Sequence, residues 1–207
     1  MIFCMANIQI PQDYKTKIKN RTFFHFCKGI FPRVLKYIKF AFFRFVARRK
    51  GAIIGANTNL NWHLVKNVNS NLVVGDDCII ESAKLDLRGG RIVIDNHVII
   101  NKDVQIIRLS HFVDNDCKFS TRYYPDLHIS SFSWIATAAK ILPQVTFIGE
   151  GVVCGAFSVI AKNCEEDTIY AGNPAKPIRT HNTRFKDLVV CSLQSGDLKY
   201  YIKSRFE

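Results

Sequence analysis

The first fifty residues hold only one acid, Asp13, against twelve lysines and arginines. This shortage of negative charge is local. The remaining 157 residues carry 17 basic and 16 acidic side chains, so the +12 charge belongs to an N-terminal arm and the body is nearly neutral. Uncharged apolar runs of eighteen residues are missing too, so no conventional membrane span is expected. The start, Met1 to Pro11, lacks the basic leader and small-residue cleavage site of a secretory signal. The seven cysteines form no CxxC pair, and their odd, scattered count argues against a disulfide framework. Reduced thiols in a cytoplasmic protein fit best, with Cys78, Cys154 and Cys164 as small core residues.

Between Arg33 and Arg49 there is neither Gly nor Pro. Leu35, Ile38, Phe42 and Phe45 recur there at helical spacing, with Lys36, Lys39, Arg44 and Arg48 largely elsewhere on the wheel. The arm (1–50) is therefore expected to be partly helical. Such a helix either packs on the rest of the protein with its cations in water, or lies on an anionic membrane at its inner face. Nucleic acid is not an expected partner, because no nucleic-acid motif accompanies the charge.

From residue 51 to about 180 a six-residue rhythm replaces the helical one. An aliphatic residue is followed by a small or turn-forming one in Val74-Gly75, Ile94-Asp95, Ile100-Asn101, Ile129-Ser130, Ile135-Ala136, Ile148-Gly149, Cys154-Gly155 and Ile160-Ala161. Four positions after the aliphatic residue sits a second, compact one, such as Cys78, Val98, Val104, Ser133, Ala139 and Ser158. An alternating β-sandwich would show period two. Period six implies a mainly β fold, a single-stranded parallel β-helix of short strands and tight corners, closing a turn in about 18 residues. The aliphatic residue points inward and stacks on its equivalents. The corner residue must be small or adopt unusual backbone angles. The span has room for about seven turns.

The rhythm slips in three places: between Ile80 and Ile94, between Ile106 and Ile129, and between Ile141 and Ile148, where Phe147 reads as the extra residue. Long excursions from a regular scaffold are common sites of function, and the second break carries RLSHFVDNDCKFSTRYYPDL. Residues 181–207 leave the rhythm, and their composition allows a short C-terminal helix capping the last turn.

Three stretches resemble the hexapeptide-repeat acyltransferases, in particular their sugar O-acetyltransferase branch and the acetyltransferases of colanic-acid-type polysaccharide clusters. They are IVIDNHVIINKDVQIIRLSH (92–111), HISSFSWIATAAKILPQVTFIGEGVVCGAFSVIAK (128–162) and TIYAGNPAKPIR (168–179). The resemblance implies a left-handed β-helix over about 51–180, a homotrimer, acetyl-CoA as acyl donor with no metal, and a sugar or glycan acceptor. His111 matches the family's catalytic histidine. The choice is chemically sensible, because an imidazole can take a hydroxyl proton as the oxygen attacks a thioester and pass it to the leaving thiolate. Ser110 is expected to shape the loop, and Asp114 or Asp116 to orient the ring. Trp134 matches the residue lining the coenzyme A arm. Ala136, Thr137, Ala156 and Ala161 would let the donor run along the coil edges, and Lys162, Lys176 and Arg179 would meet its phosphates. Ala136, Gln144, Phe157 and Phe147 depart from the family pattern.

An N-acetyltransferase of an amino sugar, a serine acetyltransferase-like enzyme and a non-catalytic scaffold all fit the same coil. A zinc carbonic anhydrase does not, because His97, His111 and His128 include no closely spaced pair.

Overall fold

The computed structural model describes residues 12–111, 121–181 and 198–206. Cys4, Cys117, Cys191, Asp114 and Asp116 lie outside them.

Two helices come first, α1 (Gln12–Lys19) and α2 (Phe23–Arg49). Thr22 caps α2 by accepting from the His25 backbone N–H. The helix begins ten residues before the Pro-free stretch and runs through Pro32. Packing stabilises that earlier segment, since Phe26 is buried and stacks on Tyr201 with centroids 4.8 Å apart.

The coil follows, one strand per side per turn. The first turn is β1 (Ile53–Ile54), β2 (Asn59–Leu60) and, in place of a third strand, α3 (Trp62–Asn67). The second is β3 (Leu72–Val74), β4 (Ile79–Ile80) and β5 (Lys84–Leu85). The third is β6 (Ile92–Ile94), β7 (Ile99–Ile100) and β8 (Gln105–Ile106), followed by an excursion through β9 (Ser110–His111) and β10 (Arg122–Tyr123). The fourth is β11 (Leu127–Ile129), β12 (Trp134–Ile135) and β13 (Lys140–Ile141). The fifth is β14 (Phe147–Ile148), β15 (Val153–Cys154) and β16 (Val159–Ile160). A partial turn then ends in the antiparallel pair β17 (Thr168–Gly172) and β18 (Ala175–Thr180). A terminal helix, α4, spans Leu198–Phe206.

The strands form three parallel sheets. Sheet one runs β1-β3-β6-β11-β14, sheet two β2-β4-β7-β12-β15-β17-β18, and sheet three β5-β8-β13-β16. Five complete turns result, not seven. The first turns take about 20 residues each, with Ile54 on Val74 and Val74 on Ile94, and the excursion and the closing β17–β18 pair use the rest of the span. The aliphatic residue of each repeat and its compact partner four positions later are all buried, with Cys78, Cys154 and Cys164 among them.

Two corner expectations need correction. The left-handed backbone falls three residues after the aliphatic position, at Asn57, Asp77, His97, Asp103, Phe132, Ala138, Phe157 and Asp167, with φ between 50° and 61°. The small residue directly after the aliphatic one answers a different demand. A Cβ on Gly55 would run into the Gly75 carbonyl one turn above, so stacking distance, not backbone angle, sets the size there. Phe147 is not the extra residue. It pairs with His128, and Ile148 with Ile129, in regular register, so the insertion lies before it at Thr146.

The first turn exposes a row of carbonyls, because its N–H groups bond upward, as Gly55 does to Val74. Cations of α2 satisfy that edge. Arg48 donates from Nε and Nη2 to the Ile54 carbonyl at 2.9 and 2.6 Å, and Arg44 Nη1 donates to the Thr58 carbonyl at 3.2 Å. These two arginines close a sheet edge instead of facing bulk water. The stripe of Leu35, Ile38, Phe42 and Phe45, by contrast, is 51–57% exposed. The helix meets the coil through Phe43, Val46 and Ala47. The terminal helix α4 packs on α1 and α2, where a cap on the last turn was expected. Its Tyr201 makes a small second core with Ile18 and Phe26, and its hydroxyl donates to the Phe26 carbonyl at 3.0 Å.

Candidate active site

His111 sits on the excursion that leaves the end of sheet three in the third turn. It lies opposite Arg122 in the antiparallel β9–β10 pair, with Ser110 opposite Tyr123. The ring is half-buried. The base of this projection is held by a buried cation. Arg108, three residues before His111, is fully buried. Its Nη1 donates to the Val145 carbonyl at 2.8 Å, its Nη2 to the Leu142 carbonyl at 2.6 Å and its Nε to the Ile107 carbonyl at 2.8 Å. Leu142 and Val145 begin and end the turn that directly precedes the inserted Thr146. Arg108 thus fills the gap that the excursion opens in the wall and satisfies carbonyls stranded there. Burial lowers its pKa to about 10, with Asp86 and Asp126 opposing the fall, so the guanidinium stays charged at neutral pH.

Asp86 braces the same place from below. Its Oδ2 accepts from the Leu109 backbone N–H at 3.1 Å, and Arg88 forks onto both oxygens at 2.8 and 2.9 Å. The Arg88 hydrogen bonds hold the Asp86 carboxyl down at about 2, against the opposing effect of burial. No pattern in the sequence marks Arg108 or Asp86. Each reads as an ordinary charge until the excursion is folded back on the coil.

Trp134 opens β12 on sheet two, points outward and is 41% exposed. Its Nε1 donates to Asn101 Oδ1 at 2.5 Å, and Asn101 Nδ2 in turn donates to Glu81 Oε2 at 3.4 Å. Nothing in the sequence marks Asn101 as the partner of Trp134. Its place beneath the Trp134 segment follows only once the 23-residue break from Ile106 to Ile129 has been indexed, through the pairing of Ile100 with Ile135.

Ala136 and Thr137 turn the corner from sheet two to sheet three, and Ala156 stands at the same corner one turn above. Ala136 is buried, whereas Thr137 and Ala156 are exposed. Ala161 and Lys162 stand at the next corner, from sheet three to sheet one, which is also where the His111 excursion departs. Lys176 and Arg179 are exposed on β18, beyond the last turn of sheet two. The expected residues thus form two groups. His111, Ala161 and Lys162 mark one corner. Trp134, Ala136, Thr137, Ala156, Lys176 and Arg179 gather on sheet two and its following corner. Sheet three lies between the groups. The other coil histidines are engaged elsewhere, with His128 Nε2 2.9 Å from Asp95 Oδ2 and His97 stacked on Phe132.

No family model matches the chain. A candidate acetyltransferase of Schizosaccharomyces pombe is 37% identical over 89 residues, 42% of this chain and 42% of that protein. A candidate acetyltransferase of Saccharomyces cerevisiae is 32% identical over 111 residues, 53% of this chain and 56% of that one. The chain thus spans about half the length of the curated relatives it matches. Among solved structures, a maltose O-acetyltransferase from Clostridium difficile 630 superposes with a TM-score of 0.52 at 22% identity, covering 83% of this chain and 84% of that one. The N-acyltransferase AntD from Bacillus cereus, in complex with dTDP and 3-hydroxybutyryl-CoA, gives 0.52 at 16% identity, covering 76% and 82%. The fold is the parallel β-helix of these acyltransferases, as the hexapeptide motifs implied. The sequence matches are likewise to proteins bearing acetyltransferase names.

Proposed function

We propose that this chain is an acetyl-CoA-dependent O-acetyltransferase that modifies a sugar hydroxyl in polysaccharide or lipopolysaccharide biosynthesis. The observation that carries the reading is an imidazole presented on a braced hairpin, projecting from a β-helix whose next turn displays an outward tryptophan among small corner residues. His111 takes the hydroxyl proton as the oxygen attacks the acyl carbonyl, then delivers it to the departing thiolate. Trp134 lines the donor arm. Ala136, Thr137, Ala156 and Ala161 leave backbone groups accessible along the edges, and Lys162, Lys176 and Arg179 supply charge for the phosphates. Because the two groups occupy different corners, a second copy that brings its His111 corner against the Trp134 face would complete the site. A homotrimer provides three such sites.

His111→Ala should lower turnover by about 10²–10⁴-fold while acetyl-CoA affinity stays unchanged. Thiol release with sugars, amino sugars and serine as acceptors measures this and separates O- from N-acylation. Retained turnover in the variant would place the base elsewhere. Mixing His111→Ala chains with Trp134→Ala chains should restore part of the activity if each site draws on two chains.

The exposed stripe of α2 supports a second reading, that the arm rests on the inner face of a membrane. Among the described residues, no helix is long and apolar enough to cross one. The exposed Leu35, Ile38, Phe42 and Phe45, with Arg49 over the Phe45 ring, suit an anionic lipid surface. Removing residues 1–50 should reduce co-sedimentation with phosphatidylglycerol vesicles, and equal binding without them would end this reading.

A further inference from the structure

Between α2 and the first two turns of the coil lies a cleft of about 530 Å³, on the sheet-two side. Lys36 and Lys39 reach it from the helix and Lys102 from the third turn, while Asn59, Trp62 and Glu81 form other parts of its wall. Three features set it apart. First, no carboxylate among the described residues forms an ion pair with any of these three lysines. Second, Asn59 is 4% exposed, yet neither its amide nitrogen nor its amide oxygen has a hydrogen-bond partner. A buried amide with both ends unanswered is uncommon and calls for an explanation. Third, the wall continues into the proposed active site, because Glu81 accepts from Asn101, and Asn101 accepts from Trp134.

We propose that this cleft binds a saccharide through a phosphate group. The three lysines neutralise the phosphate as point charges from two directions. The Asn59 amide offers an NH2 that donates and a carbonyl that accepts, and a saccharide hydroxyl can do both in return. Glu81 takes further hydroxyl protons in hydrogen bonds. Trp62, half-buried against Phe43 with centroids 4.8 Å apart, presents an apolar platform fixed by its neighbours. The volume suits a ligand of sugar-phosphate size. The arm, whose Arg44 and Arg48 close the edge of the coil, contributes Lys36 and Lys39 as one side of a ligand pocket. That the bound saccharide is the acyl acceptor rests on the function proposed above. The binding itself does not.

Calorimetric titration of the full chain, without acetyl-CoA, tests the proposal with glucose 1-phosphate, UDP-glucose, glucose and inorganic phosphate. At least one phosphorylated saccharide should bind about tenfold or more tightly than either glucose or phosphate alone. The two phosphorylated probes distinguish a free sugar phosphate from a nucleotide-carried sugar, and tight binding of either supports the cleft. The double variant Lys36→Ala/Lys102→Ala should weaken that binding by about tenfold or more. Asn59→Leu should weaken it as well without lowering the melting temperature, since it removes an unanswered amide at similar volume. Failure of both phosphorylated saccharides to bind, equal binding by inorganic phosphate, or an unchanged affinity in the double variant would overturn the proposal. Binding without subsequent acetylation would leave the cleft standing and remove the acyl-transfer reading instead.

Discussion

The coil and the arm meet along one edge but are stabilised in different ways. Inward residues of the coil, such as Ile100, Ile135 and Cys154, are wholly buried, each stacked on its equivalents in sheet two. The 27-residue helix α2 shows eight large apolar side chains to the outside, Phe23, Phe24, Phe31 and Tyr37 besides the four of the stripe, and holds the coil through Phe43, Val46, Ala47 and two arginines on carbonyls. A repeat brings its own packing partner one turn away, so its pattern is enough to place the apolar residues inside. A single amphipathic helix carries no such guarantee. Its apolar stripe needs a surface from elsewhere, and here polar anchoring of the coil edge chose which face turned inward.

Substitutions can break this contrast. The largest effect is expected in the coil, where Ile135→Ala should cost ~2–5 kcal/mol by leaving a cavity between stacked turns. Denaturant unfolding would measure it, and a cost near zero would mean that the stack is not closely packed. Next comes Arg108→Met, at ~2–4 kcal/mol, because the Leu142 and Val145 carbonyls lose their donors while still buried. It should also reduce turnover through the loosened hairpin, so a fall in kcat with unchanged donor affinity would separate positioning from simple unfolding. A smaller effect follows from pH. Folding lowers the Asp86 pKa to about 2, so its contribution is complete above the ordinary carboxylate range and fades as pH falls from about 4 towards 2. Asp86→Asn should flatten that part of a stability–pH curve. The smallest effect should be Ile38→Ala on the arm, within about 0.5 kcal/mol in the absence of a partner, since Ile38 is 57% exposed whereas Phe42 stacks on Trp62. A large loss there would mean that the exposed stripe is already covered in solution.

Much of the coil was legible because period six is long, repeated and unlike any helix or alternating strand. Ile94 with Val98, Ile100 with Val104 and Ile135 with Ala139 all lie where the rhythm put them. The breaks were visible but not their content. Two turns fewer than expected result because the excursion and the closing β17–β18 pair use residues that spacing alone could not assign. Phe147 looked inserted because an extra residue can be placed anywhere between two inward positions, and only the pairing with His128 put it at Thr146. At the candidate site, His111 and Trp134 were marked only by the resemblance of their stretches to family motifs. Asn101, Arg108 and Asp86 were not, since each acts on a residue more than twenty positions away in the chain.

By itself, the sequence determined that a stacked coil forms, which residues line its interior and where the chain leaves it. These follow from local alternation of large and compact side chains, repeated until neighbouring turns have no other way to pack. Tertiary structure alone decided which face of the arm meets the coil and that a buried arginine seals the wall under the excursion. It also decided that the histidine and the tryptophan stand on different corners of one chain. Those outcomes depend on carbonyls, cations and gaps that arise only when distant turns are already in place, so no local pattern could encode them.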